Sequence, residues 1–235
     1  KKEDPKWEDR DRFILSKGHA GIAYAPVLCD FGYNDPEQLK TFNLTNSKMG
    51  IHLDSNKVAG VDASTGSLGH GIPIAAGTAI AARVLGKDYY TYVVTGDGEL
   101  DEGSNWEGLM TIRHYNLTNC ITIVDRNHCM IDGNTEDVMK LEPLADKFVA
   151  FGFHTIVCEG NNIVSLCKAI DEAHKTKDKP TVIVADTIKG VGIKLTSGNY
   201  KWHYGAIDEE MAKVAAKDLD EYSAERIARC GKEFE

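Results

Sequence analysis

From about residue 88 onward the sequence alternates between short β-rich runs and longer helical runs, and this alternation constrains the fold more than any other feature. Each β-rich run is bounded by turn residues and is rich in Val, Ile, Thr or aromatic residues, which is typical of strands buried on both faces. The predicted strands are 89–95, 120–125, 153–159 and 181–187, and the predicted helices between them are 101–115, 141–151 and 163–175. Repeated strand–helix–strand units predict an α/β fold, a doubly wound parallel sheet with helices on both faces.

The segments that flank this alternation are also predicted to be helical. Residues 67–85 place small residues at close spacing, so we expect this helix to pack tightly against the sheet or a partner. Residues 208–232 have the pattern of one or two amphipathic surface helices. Because no repeat, low-complexity tract or Pro/Gly-rich linker interrupts the sequence, we expect residues 1–235 to form a single domain. The sequence starts without methionine, and we expect a further N-terminal segment to precede it.

Charge and cysteine content exclude several classes of protein. The chain has 36 acidic and 27 basic residues, a formal net charge of -9, and no basic stripe interrupts this surplus. Such a chain repels phosphate backbones, so we expect no nucleic-acid partner and no association with a membrane surface. The sequence contains no signal peptide or transmembrane pattern, and its 6 cysteines form no CxxC pair. We therefore expect a cytoplasmic protein with reduced thiols.

A GDG motif and an asparagine follow two successive predicted strands. Asp97 comes directly after the strand 89–95, and Asn127 comes directly after the strand 120–125. Because the carboxyl ends of neighbouring parallel strands meet at one edge of the sheet, we expect both side chains to face one crevice. Carboxylate and amide oxygens are ligands that Mg²⁺ prefers, and the remaining positions would be left for phosphate oxygens and water. The spacing therefore predicts a divalent metal site, for Mg²⁺ or for Ca²⁺ or Mn²⁺.

The acidity around this motif favours a metal as well. Residues 96–107 contain five acids and no base, so an anionic cofactor could bind there only with an intervening cation. Gly96 and Gly98 allow the backbone to approach a phosphate closely, and the start of the following helix adds a partial positive charge. An isolated GDG is more often a tight turn with solvated acids. Asn127 at the matching position favours the metal site over that alternative.

These motifs resemble the diphosphate-binding signature of thiamine diphosphate enzymes. More closely, the chain is similar to the N-terminal half of transketolases, in the group in which the enzyme is split over two polypeptides. The similarity extends over nearly the whole chain in five blocks that follow the family's order: DRFILSKGHA (11–20), GIHLDSNKVAGVDASTGSLGHGI (50–72), GDGELDEGSNWE (96–107), VDRNHCMIDG (124–133) and ADTIKGVG (185–192). The resemblance implies a thiamine diphosphate-binding fold of the diphosphate-binding type.

The resemblance assigns metal ligands and cofactor-binding residues. It implies that Asp97 and Asn127 bind the metal through their side chains and that Cys129 binds it through its backbone carbonyl. The other cofactor-binding residues that it implies, besides Asp97 and Asn127, are Gly66, Leu68, Gly96, Gly98 and Ile188. Within this set the two GDG glycines match positions beside the diphosphate, the backbone of Leu68 matches one that holds the aminopyrimidine, and Ile188 matches one near the thiazolium.

Three histidines match substrate-channel positions of the family. They are His19 in SKGHA, His52 in MGIHL and His203 in KWHYG. The resemblance implies that these imidazoles hydrogen-bond sugar hydroxyls and transfer protons. His70 occupies a place where the family usually has Gln, so its imidazole could alter specificity or only local packing.

Two glutamates match positions near the subunit interface. Glu102 and Glu107 resemble acids that are linked to the cofactor-activating glutamate of a partner, and they are counted with the catalytic residues on that basis. For Glu107 a purely structural explanation is also open, because Ser104-x-x-Glu107 has the spacing of a capping box at a helix start.

The family's GHPGG-like block, which carries a further active-site histidine and normally precedes DRFILSKGH, is absent from the sequence, so either the sequence starts after this block or the protein lacks that edge of the site. The pyrimidine-binding domain of the family is absent from the sequence as well. The resemblance therefore implies a partner, a C-terminal transketolase subunit that supplies the pyrimidine-binding domain, in an α₂β₂ assembly. The expected reaction is transfer of a two-carbon ketol unit from a ketose to an aldose acceptor, with sugars or sugar phosphates as substrates, and the chain alone should be inactive.

Three other functions stay open at this point. One is a different thiamine diphosphate enzyme, either similar to deoxyxylulose-phosphate synthase or acyl-transferring. Another is a transketolase-like subunit without catalytic activity. A nicotinamide-dependent dehydrogenase is a weaker alternative, because no GxGxxG follows a strand with an acid about twenty residues later.

Overall fold

The computed structural model of the chain describes residues 1–230 and contains one sheet of five parallel strands. The strands are β1 (Arg12–Leu15), β2 (Thr91–Gly96), β3 (Cys120–Arg126), β4 (His154–Glu159) and β5 (Thr181–Asp186), in the order β1-β2-β3-β5-β4. All four predicted strands are confirmed. The first strand, β1, is not predicted by the sequence pattern, because four residues are too few to show a period.

Over the described residues, seven α-helices connect and flank the strands. They are α1 (Gly21–Asp30), α2 (Gly71–Val84), α3 (Gly103–His114), α4 (Thr135–Val138), α5 (Leu144–Ala150), α6 (Ile163–Lys175) and α7 (Glu209–Cys230). The predicted bounds of α6 are confirmed. The segment 208–232 contains one helix, and positions 231 and 232 lie outside the described residues.

Three predicted helix starts are wrong, each for a local reason. The helix predicted from residue 67 starts at Gly71, because Gly69 turns the chain with a φ of 87°. The helix predicted from residue 101 starts at Gly103, because a 3₁₀ turn occupies Gly98–Asp101. The helix predicted from residue 141 starts after Pro143, which precedes the first helical residue.

Helices cover both faces of the sheet, which confirms the doubly wound arrangement. The larger hydrophobic cluster joins α2, α3 and α5 to one face and includes Ala75, Leu109 and Phe148. A smaller cluster joins α6 to the other face through Ala169 and Ile183. The expectation that every strand is buried on both faces is wrong for β4, whose residues are partly exposed because it lies at the edge of the sheet.

The small residues of α2 pack closely, as predicted. Ala75, Ala79 and Ala82 are fully buried. Where α2 meets α3, a Cβ at Gly108 would lie 2.9 Å from the backbone nitrogen of Pro73, so a side chain there would separate the two helices. Within residues 1–230, no helix has the combination of length and hydropathy that crossing a membrane requires.

Candidate functional site

The parallel sheet brings the ends of four strands together at one edge. Gly96 at the end of β2 is in register with Asp125 in β3, and the backbone nitrogen of Asp97 donates to the carbonyl of Asp125 at 3.1 Å. Lys17 follows β1 by two residues, and Ile188 follows β5 by the same number. The carboxyl ends of these strands therefore lie together at the edge of the sheet where the sequence predicts a crevice.

Asp97 is completely buried at the base of this crevice. Its Oδ2 accepts hydrogen bonds from the backbone nitrogen of His128 at 2.6 Å and from Nη1 of Arg126 at 3.0 Å, and its Oδ1 accepts one from the nitrogen of Gly98 at 2.8 Å. Burial raises the pKa of Asp97, and the hydrogen bond from Arg126 opposes this only in part. A carboxylate in this environment is stabilised in its charged form by a further cation.

Asn127 and Cys129 are on the loop after β3, and this loop lies beside Asp97. The side-chain nitrogen of Asn127 donates to Oδ2 of Asp125 at 3.1 Å, and its Oδ1 accepts from the backbone nitrogen of Cys129 at 3.2 Å. Cys129 and Asn134 form an isolated antiparallel bridge whose flanking hydrogen bonds are made by neighbouring residues. This is the non-hydrogen-bonded type of pair, which leaves the carbonyl of Cys129 free of the bridge.

These residues fit a divalent cation with oxygen ligands. Among residues 1–230 no three His, Cys, Asp or Glu side chains converge on a point that could hold a metal ion. A metal would therefore need amide and carbonyl oxygens in addition to one carboxylate. The side chains of Asp97 and Asn127 and the carbonyl of Cys129 provide that set, and hard cations such as Mg²⁺ accept it.

Arg126 is a site residue that the sequence reasoning missed. Its side chain is only 3% exposed and contacts the buried carboxylate of Asp97, Oε1 of Glu136 at 2.9 Å and Oε1 of Glu142 at 2.9 Å. Nη1 also donates to the hydroxyl of Thr135 at 2.6 Å. One signal in the sequence could have indicated its burial. Arg126 lies two residues after the buried Val124 in the same strand, and residues two apart in a strand point to the same face.

Two lysines give the crevice a cationic wall. Lys17 forms an ion pair with Asp125, which also accepts from the hydroxyl of Thr187. Lys189 is half-buried, and burial together with the charge of Lys17 lowers the pKa of its ammonium group. The charges of Asp125 and Asp97 act on Lys189 in the opposite direction and raise its pKa. An anion in the crevice would therefore meet positive charge.

The two glycines of the GDG motif differ in how much space the surrounding chain leaves for a side chain. A Cβ at Gly96 would lie 3.7 Å from Cδ of Lys17, which is an ordinary contact. A Cβ at Gly98 would lie 3.0 Å from Cβ of Met130, which is tight. Packing within the chain therefore explains why residue 98 is a glycine. It does not explain Gly96, where a side chain would fit, so close approach of a ligand to the backbone is the reason we assign to that glycine.

Two of the three predicted histidines, His19 and His203, pack against each other, and the third, His52, packs against Gly66. The rings of His19 and His203 are 5.0 Å apart between centroids, and a Cβ at Gly66 would lie 2.9 Å from the ring of His52. Burial lowers the pKa of His19 to about 4, and the charges of His203 and Lys17 act in the same direction. Nδ1 of His203 is buried and has no hydrogen-bond partner within residues 1–230, so a ligand hydroxyl could satisfy it.

The remaining predicted residues lie at the surface or at the margin of the crevice. Ile188 is 53% exposed and its backbone nitrogen donates to Oδ1 of Asn161 at 2.7 Å, while Leu68 is partly buried. Glu102 and Glu107 are exposed at the start of α3 and on its surface. His70 is exposed directly before α2.

The capping-box interpretation of Glu107 is wrong. The residue before α3 is Glu102, and no side chain caps the helix there. The hydroxyl of Ser104 donates instead to the carbonyl of Gly69 at 2.9 Å. The carboxylate of Glu107 forms no ion pair or hydrogen bond within residues 1–230, so its side chain has no structural role in the described part of the chain.

Comparison with protein families gives a match over most of the chain. The family model for the transketolase, thiamine diphosphate binding domain, matches residues 1–224. An apulose-4-phosphate transketolase subunit of Actinobacillus succinogenes is 40% identical over 211 residues, which are 90% of this chain and 76% of that protein. The 6-deoxy-6-sulfo-D-fructose transketolase subunit SqwG of Clostridium sp. is 38% identical over 221 residues, which are 94% of this chain and 80% of that protein.

Solved structures match over a smaller part of their own length. The transketolase from Leishmania mexicana superposes with a TM-score of 0.83 at 34% identity and covers 97% of this chain. The transketolase from Campylobacter jejuni has a TM-score of 0.86 at 31% identity and covers 93%. The chain spans only 39% and 35% of these two solved chains, so it is similar to little more than a third of each.

Proposed function

The chain belongs to the transketolase family as its thiamine diphosphate-binding domain, and from that premise we propose that it is the diphosphate- and metal-binding subunit of a two-subunit transketolase. Its reaction is the transfer of a two-carbon ketol unit from a ketose to an aldose acceptor. The observation that carries the proposal is that the backbone nitrogen of His128 donates to the buried carboxylate of Asp97 at 2.6 Å, so the loop with Asn127 and Cys129 lies against Asp97. The paired rings of His19 and His203 support the sugar-binding part of the proposal.

The metal and the diphosphate are assigned to the base of the crevice. Asp97, Asn127 and the carbonyl of Cys129 would hold Mg²⁺, whose charge would allow a diphosphate to bind next to the acids of residues 96–107. The space above Gly96 supports close approach of the diphosphate to the backbone. Thiamine diphosphate, when bound, supplies the nucleophile and the electron sink for cleavage of a carbon–carbon bond. Its other contacts are assigned to Gly66, Leu68, Gly98 and Ile188.

The histidines bind and orient the sugar. Because its pKa lies at about 4, His19 is neutral near pH 7 and offers one donor and one acceptor nitrogen to a sugar hydroxyl. Nδ1 of His203 has no partner within residues 1–230, which supports a hydrogen bond to substrate. His52 completes the group from the loop that packs against Gly66. These imidazoles can also transfer a proton to or from a hydroxyl during the reaction.

A partner completes the site in this proposal. Three of the similar proteins are named as single subunits of a transketolase, which supports a second polypeptide for this chain as well. The partner is a C-terminal transketolase subunit that supplies the pyrimidine-binding domain, in an α₂β₂ assembly. The exposed carboxylates of Glu102 and Glu107 are assigned to contact with it and to its cofactor-activating glutamate.

The deciding experiment is a transketolase assay of the chain with and without a C-terminal transketolase subunit. Ketose phosphates serve as donors and aldoses as acceptors, with and without thiamine diphosphate and Mg²⁺. We expect activity only in the complex, dependent on both additions, and its loss in Asp97→Ala. A complex whose ketol transfer does not depend on thiamine diphosphate would refute the proposal. Turnover of pyruvate in place of ketose phosphates would assign the complex to the synthase-like or acyl-transferring alternative.

A further inference from the structure

Glu99, the last residue of the GDGE segment, is buried without a cation beside it. It is 3% exposed, and no Lys, Arg or His contacts its carboxylate within residues 1–230. Four neutral donors surround it instead. Oε1 accepts from the hydroxyl of Ser16 and from the backbone nitrogen of Gly69 at 3.0 Å. Oε2 accepts from the hydroxyl of Thr95 at 2.8 Å and from the nitrogen of Gly96 at 3.1 Å.

The four donors belong to three segments that are distant in sequence. Ser16 directly follows β1 and precedes the segment 17–19, which carries Lys17 and His19. Thr95 and Gly96 form the end of β2. Gly69 ends the loop 66–69, which carries the assigned residues Gly66 and Leu68. One buried side chain therefore contacts three separate segments, each of which carries or adjoins residues assigned to the proposed site.

Further contacts lock the same junction. The hydroxyl of Ser16, which donates to Glu99, accepts in turn from the nitrogen of Gly71 at 3.1 Å. The hydroxyl of Ser104 on α3 donates to the carbonyl of Gly69 at 2.9 Å. The packing around the two glycines is also tight. A Cβ at Gly69 would lie 2.4 Å from the hydroxyl of Ser104, and a Cβ at Gly71 would lie 2.2 Å from the hydroxyl of Ser16. The C-terminal end of the loop 66–69 is thus held by several contacts close to the end of β2.

We propose that Glu99 is a positioning residue that ties the loop 66–69 and the segment 17–19 to the glycine turn of the diphosphate site. It fixes the distance between the backbone assigned to the aminopyrimidine and the backbone assigned to the diphosphate. The assignment of these two regions rests on the proposed function, whereas the tether itself rests on the hydrogen bonds. Glu99 does not contact the metal ligands and acts through the segments that it holds.

The arrangement requires an acceptor at both side-chain oxygens. Each oxygen faces one hydroxyl and one backbone N–H, and a backbone N–H cannot reverse its role. A glutamine has the same shape, but its NH2 group would replace one of these oxygens and face one hydroxyl, which can accept, and one backbone N–H, which cannot. Either Gly69 or Gly96 would then lose its buried partner, which costs more than the loss of an exposed hydrogen bond.

Glu99→Gln tests the tether in the complex with the C-terminal subunit. Hydrogen exchange followed by mass spectrometry should show faster exchange in peptides covering 66–71, while peptides covering β3 and β5 stay as in the wild type. The affinity for thiamine diphosphate should fall by about 10- to 100-fold, the usual range for residues that support a ligand. At saturating cofactor, kcat should recover most of its wild-type value, because no catalytic contact is lost. The matched control is Glu225→Gln, an exposed glutamate on α7, which should change neither measurement.

Ser16→Ala removes one donor and keeps the carboxylate, so it provides the same test if Glu99→Gln does not fold. Unchanged exchange at 66–71 in the folded variant would overturn the tether, whatever the activity shows. Faster exchange with unchanged cofactor affinity would overturn the positioning role. A wild-type complex that binds no thiamine diphosphate would refute the proposed function and, with it, the positioning role of Glu99. Hydrogen exchange at residues 66–71 would still decide whether Glu99 holds this loop.

Discussion

The guanidinium group of Arg126 lies 3.0 Å from the carboxylate of Asp97, and both side chains are buried, at 3% and 1% exposure. Arg126 also contacts Glu136 and Glu142, which lie on the chain between β3 and α5. The proposed metal ligand is thus held by a cation that belongs to the chain itself. In the absence of a metal, Arg126 is the closest positive charge to a carboxylate that burial destabilises.

Substitution of Arg126 should make the stability of the chain depend on metal. Arg126→Gln leaves the carboxylate of Asp97 without its cation, and breaking a buried ion pair in this way costs about 3 to 5 kcal/mol. We expect that Mg²⁺ with thiamine diphosphate recovers part of this loss, because the metal supplies the missing positive charge. Urea unfolding with and without both ligands measures the two effects. Arg113→Gln, at an exposed position on α3, is the control. An equal loss of stability with and without ligands would contradict the metal assignment.

Asp97→Ala should abolish metal-dependent cofactor binding while the chain stays folded. The remaining partners of Arg126, Glu136 and Glu142, still neutralise its charge. The affinity for thiamine diphosphate in the presence of Mg²⁺ should fall by more than about 100-fold, beyond the range typical of residues that only support a ligand. Calorimetric titration of the complex measures the affinity, and circular dichroism reports on the fold. Asp101→Ala, an exposed acid of the same segment, should bind cofactor as the wild type does. Retained affinity in Asp97→Ala would refute its role as a ligand.

The sheet and the contact of Asp97 with the loop after β3 could be predicted from the sequence, because both follow from local patterns of apolar and turn residues. Short apolar runs between turn residues predict β2 to β5, and parallel topology then brings Asp97 and the loop after β3 together. The strand β1 could not be predicted, since a run of four residues shows no period. Its edge position in the sheet depends on pairing with β2, about 80 residues away along the chain.

Glu99 and Arg126 could not be predicted for a different reason. A charged residue in a sequence is usually exposed, and burial becomes favourable only when partners satisfy it. The partners of Glu99 include Ser16, 83 residues earlier, and Arg126 meets Asp97 across two strands. These contacts exist only in the folded chain. The pattern around residues 96–107 therefore predicts a surplus of negative charge correctly and gives no sign that one of its acids is structural.

Acidification should destabilise the chain through His19. Its pKa is about 4 in the folded chain, against an ordinary value of 6.5, because burial and the nearby His203 and Lys17 disfavour the charged form. Between these two values the unfolded chain binds a proton that the folded chain does not, so the free energy of unfolding falls as the pH decreases from 6.5 to about 4. His19→Gln should make this decline less steep. Urea unfolding at several pH values checks it, and a His19 resonance that titrates near its ordinary pKa of 6.5 in the folded protein would contradict it.

Gly96→Ala should lower the affinity for thiamine diphosphate without lowering the thermal stability of the chain. The added methyl group would lie 3.7 Å from Cδ of Lys17, so the Tm of the chain should change little. If the diphosphate approaches the backbone at this point, the methyl group occupies part of its space, and we expect the affinity for thiamine diphosphate to fall at least about tenfold, or 1.4 kcal/mol. Gly77→Ala on α2, where a Cβ meets nothing within 4 Å, should raise stability and leave cofactor affinity unchanged. Unaltered affinity in Gly96→Ala would place the diphosphate elsewhere in the crevice, because no other contact of the chain changes.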